Sequence, residues 1–167
     1  MAPRAVFVGA PGAGKSTIGL LTAELLETEF ADADTIIEGR AGKPIPEIFI
    51  DDGEDTFRAL ERETIATALE EFDGILALGG GAILHDGTRE LLRKHTVVYL
   101  SVDLSDAVKR VGLGAGRPLL AINPRATLKY LLDQRRPLYA EVATYTIKTD
   151  GREPDEIATE AAALLQS

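Results

Sequence analysis

Short runs of consecutive apolar residues recur along the chain, separated by stretches with helical spacing. Ala5-Val6-Phe7-Val8, Gly74-Ile75-Leu76-Ala77-Leu78 and Thr96-Val97-Val98-Tyr99-Leu100 read as strands covered on both faces, and Thr144-Tyr145-Thr146-Ile147-Lys148 repeats the pattern more weakly. Residues 15–29 place Ile18, Leu21, Leu25 and Leu26 along one helical face. Residues 54–72 do the same with Phe57, Leu60, Ile65, Leu69 and Phe72. The spacing predicts further helices over about 103–112, 124–142 and 154–166, the last opening on Pro154, a residue suited to a first helical turn. A short second strand is predicted at Glu29-Phe30-Ala31. Strands alternating with helices specify an α/β fold with a mainly parallel sheet, whose ligands gather beyond the carboxyl ends of the strands.

Composition narrows the setting. The 167 residues suffice for one domain with its own core. No apolar run is long enough to span a bilayer, and the N-terminus enters a strand without a signal-peptide pattern. The absence of cysteine excludes disulfides and thiolate chemistry and suits a cytoplasmic location. A net charge of −9 argues against nucleic acid or an anionic membrane as partner. Nothing in the chain demands a dimer, and a monomer is expected.

Directly after the first strand comes Gly9-Ala10-Pro11-Gly12-Ala13-Gly14-Lys15-Ser16, followed by Thr17. This is the phosphate-binding loop in its proper context, strand before and helix after. Glycines let backbone N–H groups wrap a phosphate, and the helix adds its positive end. Lys15 can reach the β- and γ-phosphates of ATP, and the Ser16 hydroxyl can ligate Mg²⁺. A guanine-reading motif is missing, since Ile147-Lys148-Thr149-Asp150 lacks the leading Asn. The transporter-type signature Leu-Ser-Gly-Gly-Gln is absent too. A small-molecule kinase remains, and it must supply an acceptor pocket.

Asp32 and Asp34 lie just past the second strand, and alternation puts both carboxylates on one side if the backbone stays extended. One could organise metal-bound water and the other accept a hydroxyl proton; either could instead cap a helix starting near Thr35. Arg58 sits on an acidic helix, where Glu61 can hold it for a ligand carboxylate, and Arg136 is the natural second clamp. Arg135 beside it is expected in solvent, as is His85. Gly79-Gly80-Gly81 ends the strand at 74–78 and allows close backbone approach to a ligand. Glycine at alternate positions from Val111 to Gly116 leaves a loose segment in which Arg117 can swing toward transferring charge.

The phosphate loop, Asp32-Ala33-Asp34, Phe57-Arg58 with Glu61, Gly79-Gly80-Gly81, Arg117-Pro118-Leu119-Leu120 and Arg135-Arg136-Pro137-Leu138-Tyr139, in that order, resemble the shikimate kinase family. The resemblance implies a three-layer α/β/α P-loop kinase fold with a five-stranded parallel sheet in the order 2-3-1-4-5. It implies a single kinase domain over 1–167, with phosphate loop 9–17, a helical substrate-binding region over about 33–61 and a mobile lid over about 112–124. The implied reaction moves the γ-phosphoryl group of ATP to the 3-hydroxyl of shikimate, with Mg²⁺, on the route through chorismate to aromatic amino acids.

By the same resemblance Lys15, Asp34 and Arg117 serve catalysis, and Ser16 with Asp32 the metal. Asp34, Arg58, Gly79, Gly80, Gly81, Pro118 and Arg136 serve shikimate. Gly12, Ala13, Gly14, Lys15, Ser16, Thr17, Arg110, Arg117, Arg152 and Pro154 serve the nucleotide. The glycine-rich stretch before Arg117 departs from many members, which are more polar there. The rival readings are a gluconate or nucleoside-monophosphate kinase and, from another class, a nucleotide-binding regulator without turnover.

Overall fold

The computed structural model describes residues 3–10, 13–103 and 124–166. Its sheet contains five parallel strands, β1 (Ala5–Val8), β2 (Glu29–Asp32), β3 (Gly74–Ala77), β4 (Val97–Ser101) and β5 (Tyr145–Lys148), in the order β2-β3-β1-β4-β5. Every residue of β1 and β3 is buried, as a continuous apolar run requires of a strand covered on both faces.

The helices are α1 (Lys15–Leu25), α2 (Ala33–Ala41), α3 (Ile45–Asp51), α4 (Glu54–Glu71), α5 (Asp86–Leu92), α6 (Pro124–Val142) and α7 (Pro154–Gln166), with a 3₁₀ turn at Ala82–Leu84. Right-handed crossovers put α1, on the path outward from β1 to β2, on one face; α4, α5 and α6, on the returning paths, cover the other. After β5 the chain comes back to pack α7 on α1, which closes a three-layer α/β/α arrangement. A second small core of Ile37, Ile48 and Phe57 holds α2, α3 and α4 together as a helical unit beside the sheet.

Predicted and observed elements agree at β1, β3, β4 and β5, and at α4, α6 and α7, to within a residue or two. The predicted helix over about 103–112 falls outside the described residues. Helix α1 is shorter than its apolar spacing suggests, because Glu27 takes a left-handed conformation (φ 55°) and the chain turns into β2. Of the predicted face, Ile18 and Leu26 are buried and Leu21 packs against the core, joined by Gly19, Thr22 and Ala23; Leu25 is 51 % exposed. Small residues share that face because the sheet side comes close. A Cβ at Gly19 would lie 2.7 Å from the Phe30 ring.

Candidate active site

The β1 and β3 connections leave on opposite faces, so a crevice opens beyond the carboxyl ends of the strands, as the fold class demands. A cleft of about 200 Å³ lies there, lined by Gly14 to Thr17 after β1, Asp32 and Asp34 after β2, and Leu78, Gly79 and Gly80 after β3. Gly14 adopts φ 88°, a left-handed conformation that a side chain would oppose, and this turns the chain from the phosphate loop into α1. The Lys15 ammonium donates to the carbonyls of Gly9 at 2.8 Å and Ala10 at 3.0 Å, so the loop's own backbone holds the lysine over its mouth.

Asp32 joins two elements. One carboxylate oxygen accepts the Ser16 hydroxyl; the other accepts the Asp34 backbone N–H at 2.9 Å and caps α2. The helix therefore begins at Ala33, not near Thr35, and the extended backbone expected through Asp34 is absent. Both carboxylates nevertheless face the same cleft, brought there by the first turn of a helix instead of strand alternation. The cap and the cleft roles of Asp32 coexist. Two oxygen donors meeting at the phosphate loop, a hydroxyl and a carboxylate, fit a hard divalent cation such as Mg²⁺.

The glycine triplet carries the cleft toward α4. A Cβ built on Gly79 would stand 2.9 Å from an Asp34 carboxylate oxygen and 3.3 Å from Glu61 Oε2. One on Gly81 would stand 2.5 Å from Arg58 Nη1. Asp34, Glu61 and Arg58 thus converge on a strip of backbone that has no side chains of its own. The Arg58 guanidinium donates to Glu61 Oε1 at 2.9 Å and reaches Glu54 at 3.4 Å. Glu61 is buried (3 % exposed), and burial holds its carboxyl above the usual carboxylate range, with Arg58 pulling the other way.

Helix α6 corrects one expectation. Arg135 is not in solvent: it is 5 % exposed, one turn before Tyr139 on the same helix and within electrostatic reach of Tyr139, Glu61 and Arg58. Buried Leu132, Arg135, Tyr139 and Val142 recur at helical spacing, so Arg135 is on the core face of α6 and Arg136, one position on, is rotated off it. Arg136 is half-exposed and loosely held, 3.5 Å from the Val102 carbonyl and 3.9 Å from Asp133. Arg152, in the turn before α7, pairs with Glu156 and Glu160 of that helix, and Pro154 opens it. His85 is exposed, as expected. Gly12, Arg110, Arg117, Pro118 and the segment expected to form a lid lie outside the described residues.

A family model described as shikimate kinase matches residues 11–166. The chain belongs to the shikimate kinase family. The shikimate kinase of Salinispora arenicola is 66 % identical over 99 % of both chains. Among solved structures, shikimate kinase from Acinetobacter baumannii in complex with shikimate superposes with a TM-score of 0.94 at 39 % identity, covering 99 % of this chain and 93 % of the other. A gluconokinase from Sinorhizobium meliloti, representing the rival reading, has a TM-score of 0.59 and 22 % identity over 97 % and 90 % of the two chains, a likeness of fold alone. Sequence reasoning about the shikimate kinase site left out two buried groups, Arg135 and the Tyr139 hydroxyl. The recurring stripe along α6 was the available signal for both.

Proposed function

We propose that this chain binds shikimate across Arg58, Asp34 and the glycine triplet and phosphorylates it from the phosphate loop. The reaction is that of its family: the γ-phosphoryl group of ATP is transferred to the 3-hydroxyl of shikimate, giving shikimate 3-phosphate and ADP. The observation that carries the proposal is the Arg58 guanidinium over Gly81, on the same glycine strip whose other end borders Lys15, Ser16 and Asp34.

Phosphoryl transfer asks the protein mainly for alignment and charge stabilisation. Gly12, Ala13, Gly14, Lys15, Ser16 and Thr17 embrace the nucleotide's phosphates, and the Lys15 ammonium shifts from the Gly9 and Ala10 carbonyls to meet them. Ser16 and Asp32 would hold Mg²⁺, which when bound neutralises phosphate charge. Arg58 and Arg136 clamp the acceptor's carboxylate; Arg136 suits this because its present contacts are long and its guanidinium is accessible. Gly79, Gly80 and Gly81 admit the ring, and Pro118 borders it.

Asp34, beside Gly79, orients the acceptor hydroxyl and receives its proton. Arg117 comes in over the transferring group, while Arg110, Arg152 and Pro154 flank the adenine. We further propose a single kinase domain acting as a monomer in the cytoplasm, without nucleic acid or membrane partners. No helix among the described residues is long and apolar enough to cross a membrane.

The test is turnover. Purified protein is incubated with ATP, Mg²⁺ and either shikimate or gluconate, and the phosphorylated product is followed by mass together with ADP release. Shikimate 3-phosphate is the expected product. Robust gluconate phosphorylation with no shikimate turnover would reject the reading.

A further inference from the structure

Three consecutive glycines form the floor of the acceptor site, and such a segment has no side chains of its own to hold it. Its upstream end is pinned to the sheet, where Leu78 N donates to the Phe7 carbonyl at 3.0 Å. Its middle touches α6, the Tyr139 hydroxyl donating to the Gly80 carbonyl at 2.5 Å. Its downstream end is Gly81, against which Arg58 stands, and the Gly81 carbonyl accepts from Leu84 N at 3.1 Å across the 3₁₀ turn. That turn has a side-chain anchor, Arg89 on α5. The Arg89 guanidinium, 13 % exposed, donates to the Ile83 carbonyl at 2.6 Å. Its Nε donates to Glu141, at the end of α6, at 3.2 Å, and its second Nη donates to Asp86. Glu141 also accepts from Arg93, one helical turn beyond Arg89.

We propose that Arg89, seated by Glu141, is a positioning residue for the acceptor site. The path runs through a single peptide unit. The Ile83 carbonyl and the Leu84 N–H belong to the same planar trans peptide and point in opposite directions. With the carbonyl fixed by Arg89, the N–H is aimed at the Gly81 carbonyl, and the backbone beneath Arg58 is fixed with it. A charged donor on one edge of a peptide also polarises the N–H on the other edge, which strengthens the bond to Gly81. A guanidinium suits the position because its planar fork meets a carbonyl and two carboxylates at once, where an ammonium is a single point. Glu141 and Tyr139 lie on the same helix, so the fork also sets α6 and the glycine strip relative to one another. Neither Arg89 nor Glu141 lines the cleft, and both act through the backbone.

This inference rests on the shikimate reading of the site. Its test uses Arg89→Met, which keeps the apolar stem and removes every side-chain donor, with Arg93→Met as the control. Arg93 pairs with the same carboxylate from the solvent side, its side chain 46 % exposed. Arg89→Met is expected to raise KM for shikimate roughly tenfold and to leave the calorimetric Kd for ADP unchanged. Arg93→Met is expected to keep the wild-type KM. The ¹⁵N–¹H signals of Gly81 and Leu84 should move in Arg89→Met while those of α7 stay. If Arg89→Met does not fold, Glu141→Gln, at a half-exposed position, decides by the same KM and amide signals, with a smaller change in the same direction. An unchanged KM for shikimate, an equal loss of ADP affinity, or the same rise in Arg93→Met would overturn the proposal. The amide signals need no substrate. Failure of the wild-type chain to phosphorylate shikimate would therefore strike the underlying reading, and the shifts alone would still judge the Arg89 anchor.

Discussion

Gly81 leaves room for Arg58: a methyl group on residue 81 would come within 2.5 Å of one guanidinium nitrogen and 2.6 Å of the other. Position 81 has φ −97°, which any residue adopts, so the glycine serves space and not conformation. Gly81→Ala should therefore fold and push the flexible end of Arg58 aside. We expect KM for shikimate to rise by an amount corresponding to about 2 kcal/mol, the low end for losing a desolvated charged contact, with the urea midpoint near wild type. Unaltered shikimate kinetics would remove Arg58 from the carboxylate clamp.

The double attachment of Asp32 separates structural from metal-linked effects. Asn caps helices about as well as Asp, so Asp32→Asn should stay within roughly 0.5 kcal/mol of wild-type stability, whereas Asp32→Ala should lose about 1 kcal/mol. Both remove a charge beside Ser16, and both should raise the Mg²⁺ needed for half-maximal rate by roughly tenfold or more. A Mg²⁺ titration paired with urea unfolding checks this. Wild-type Mg²⁺ dependence in Asp32→Asn would leave Asp32 as a cap only.

Arg135 and Arg136 are adjacent in sequence and opposite in consequence. Arg136→Lys should keep the fold, because the side chain is half-exposed, yet lose most shikimate turnover, since an ammonium cannot make two parallel bonds to a carboxylate. Arg135→Ala should instead lower stability by about 3 kcal/mol, as a buried charge network loses one member. Thermal unfolding and steady-state kinetics of the two variants side by side distinguish the roles. Equal stability losses would contradict the assignment of buried and exposed faces on α6.

Glu61 gives the fold a defined pH response. Its carboxyl titrates above its ordinary value of 4.5 because it is buried, so the folded chain holds this proton more tightly than the unfolded chain. The favourable contribution is complete below 4.5 and is lost as pH rises through the raised folded value. Glu61→Gln cannot ionise. Wild-type stability minus that of Glu61→Gln should therefore decline as pH rises from below 4.5 toward neutrality. Urea unfolding at a series of pH values measures it, and a difference that grows with pH would show that Arg58 outweighs burial.

The sheet and the nucleotide side were legible in the sequence because their signals are local. Buried parallel strands are continuous apolar runs, and the phosphate loop is a contiguous motif between a strand and a helix. Short helices α2, α3 and α5 give too few turns for a periodicity, and α2 is set by the Asp32 cap and not by apolar spacing. One position on α1, Leu25, was misread for a related reason. Apolar spacing suggested Leu25, but part of the inward face is held by Gly19, which comes close to Phe30, and by Ala23, small residues that carry little hydrophobic signal. Arg135 was misplaced because an arginine is ordinarily taken as exposed, although its spacing from Leu132 and Tyr139 marks it as inward. The contact between Tyr139 and Gly80 joins residues 59 apart in the chain, and no local pattern encodes it.

The central claim is that an organic acid is gripped at Arg58 with its reacting hydroxyl turned to Asp34 and the phosphate loop. A crystal structure with shikimate and a non-hydrolysable ATP analogue tests it directly. The account predicts the carboxylate on the Arg58 and Arg136 guanidiniums and the 3-hydroxyl between Asp34 and the terminal phosphate. A ring bound with its carboxylate toward Lys15, or both arginines turned to solvent, would contradict it.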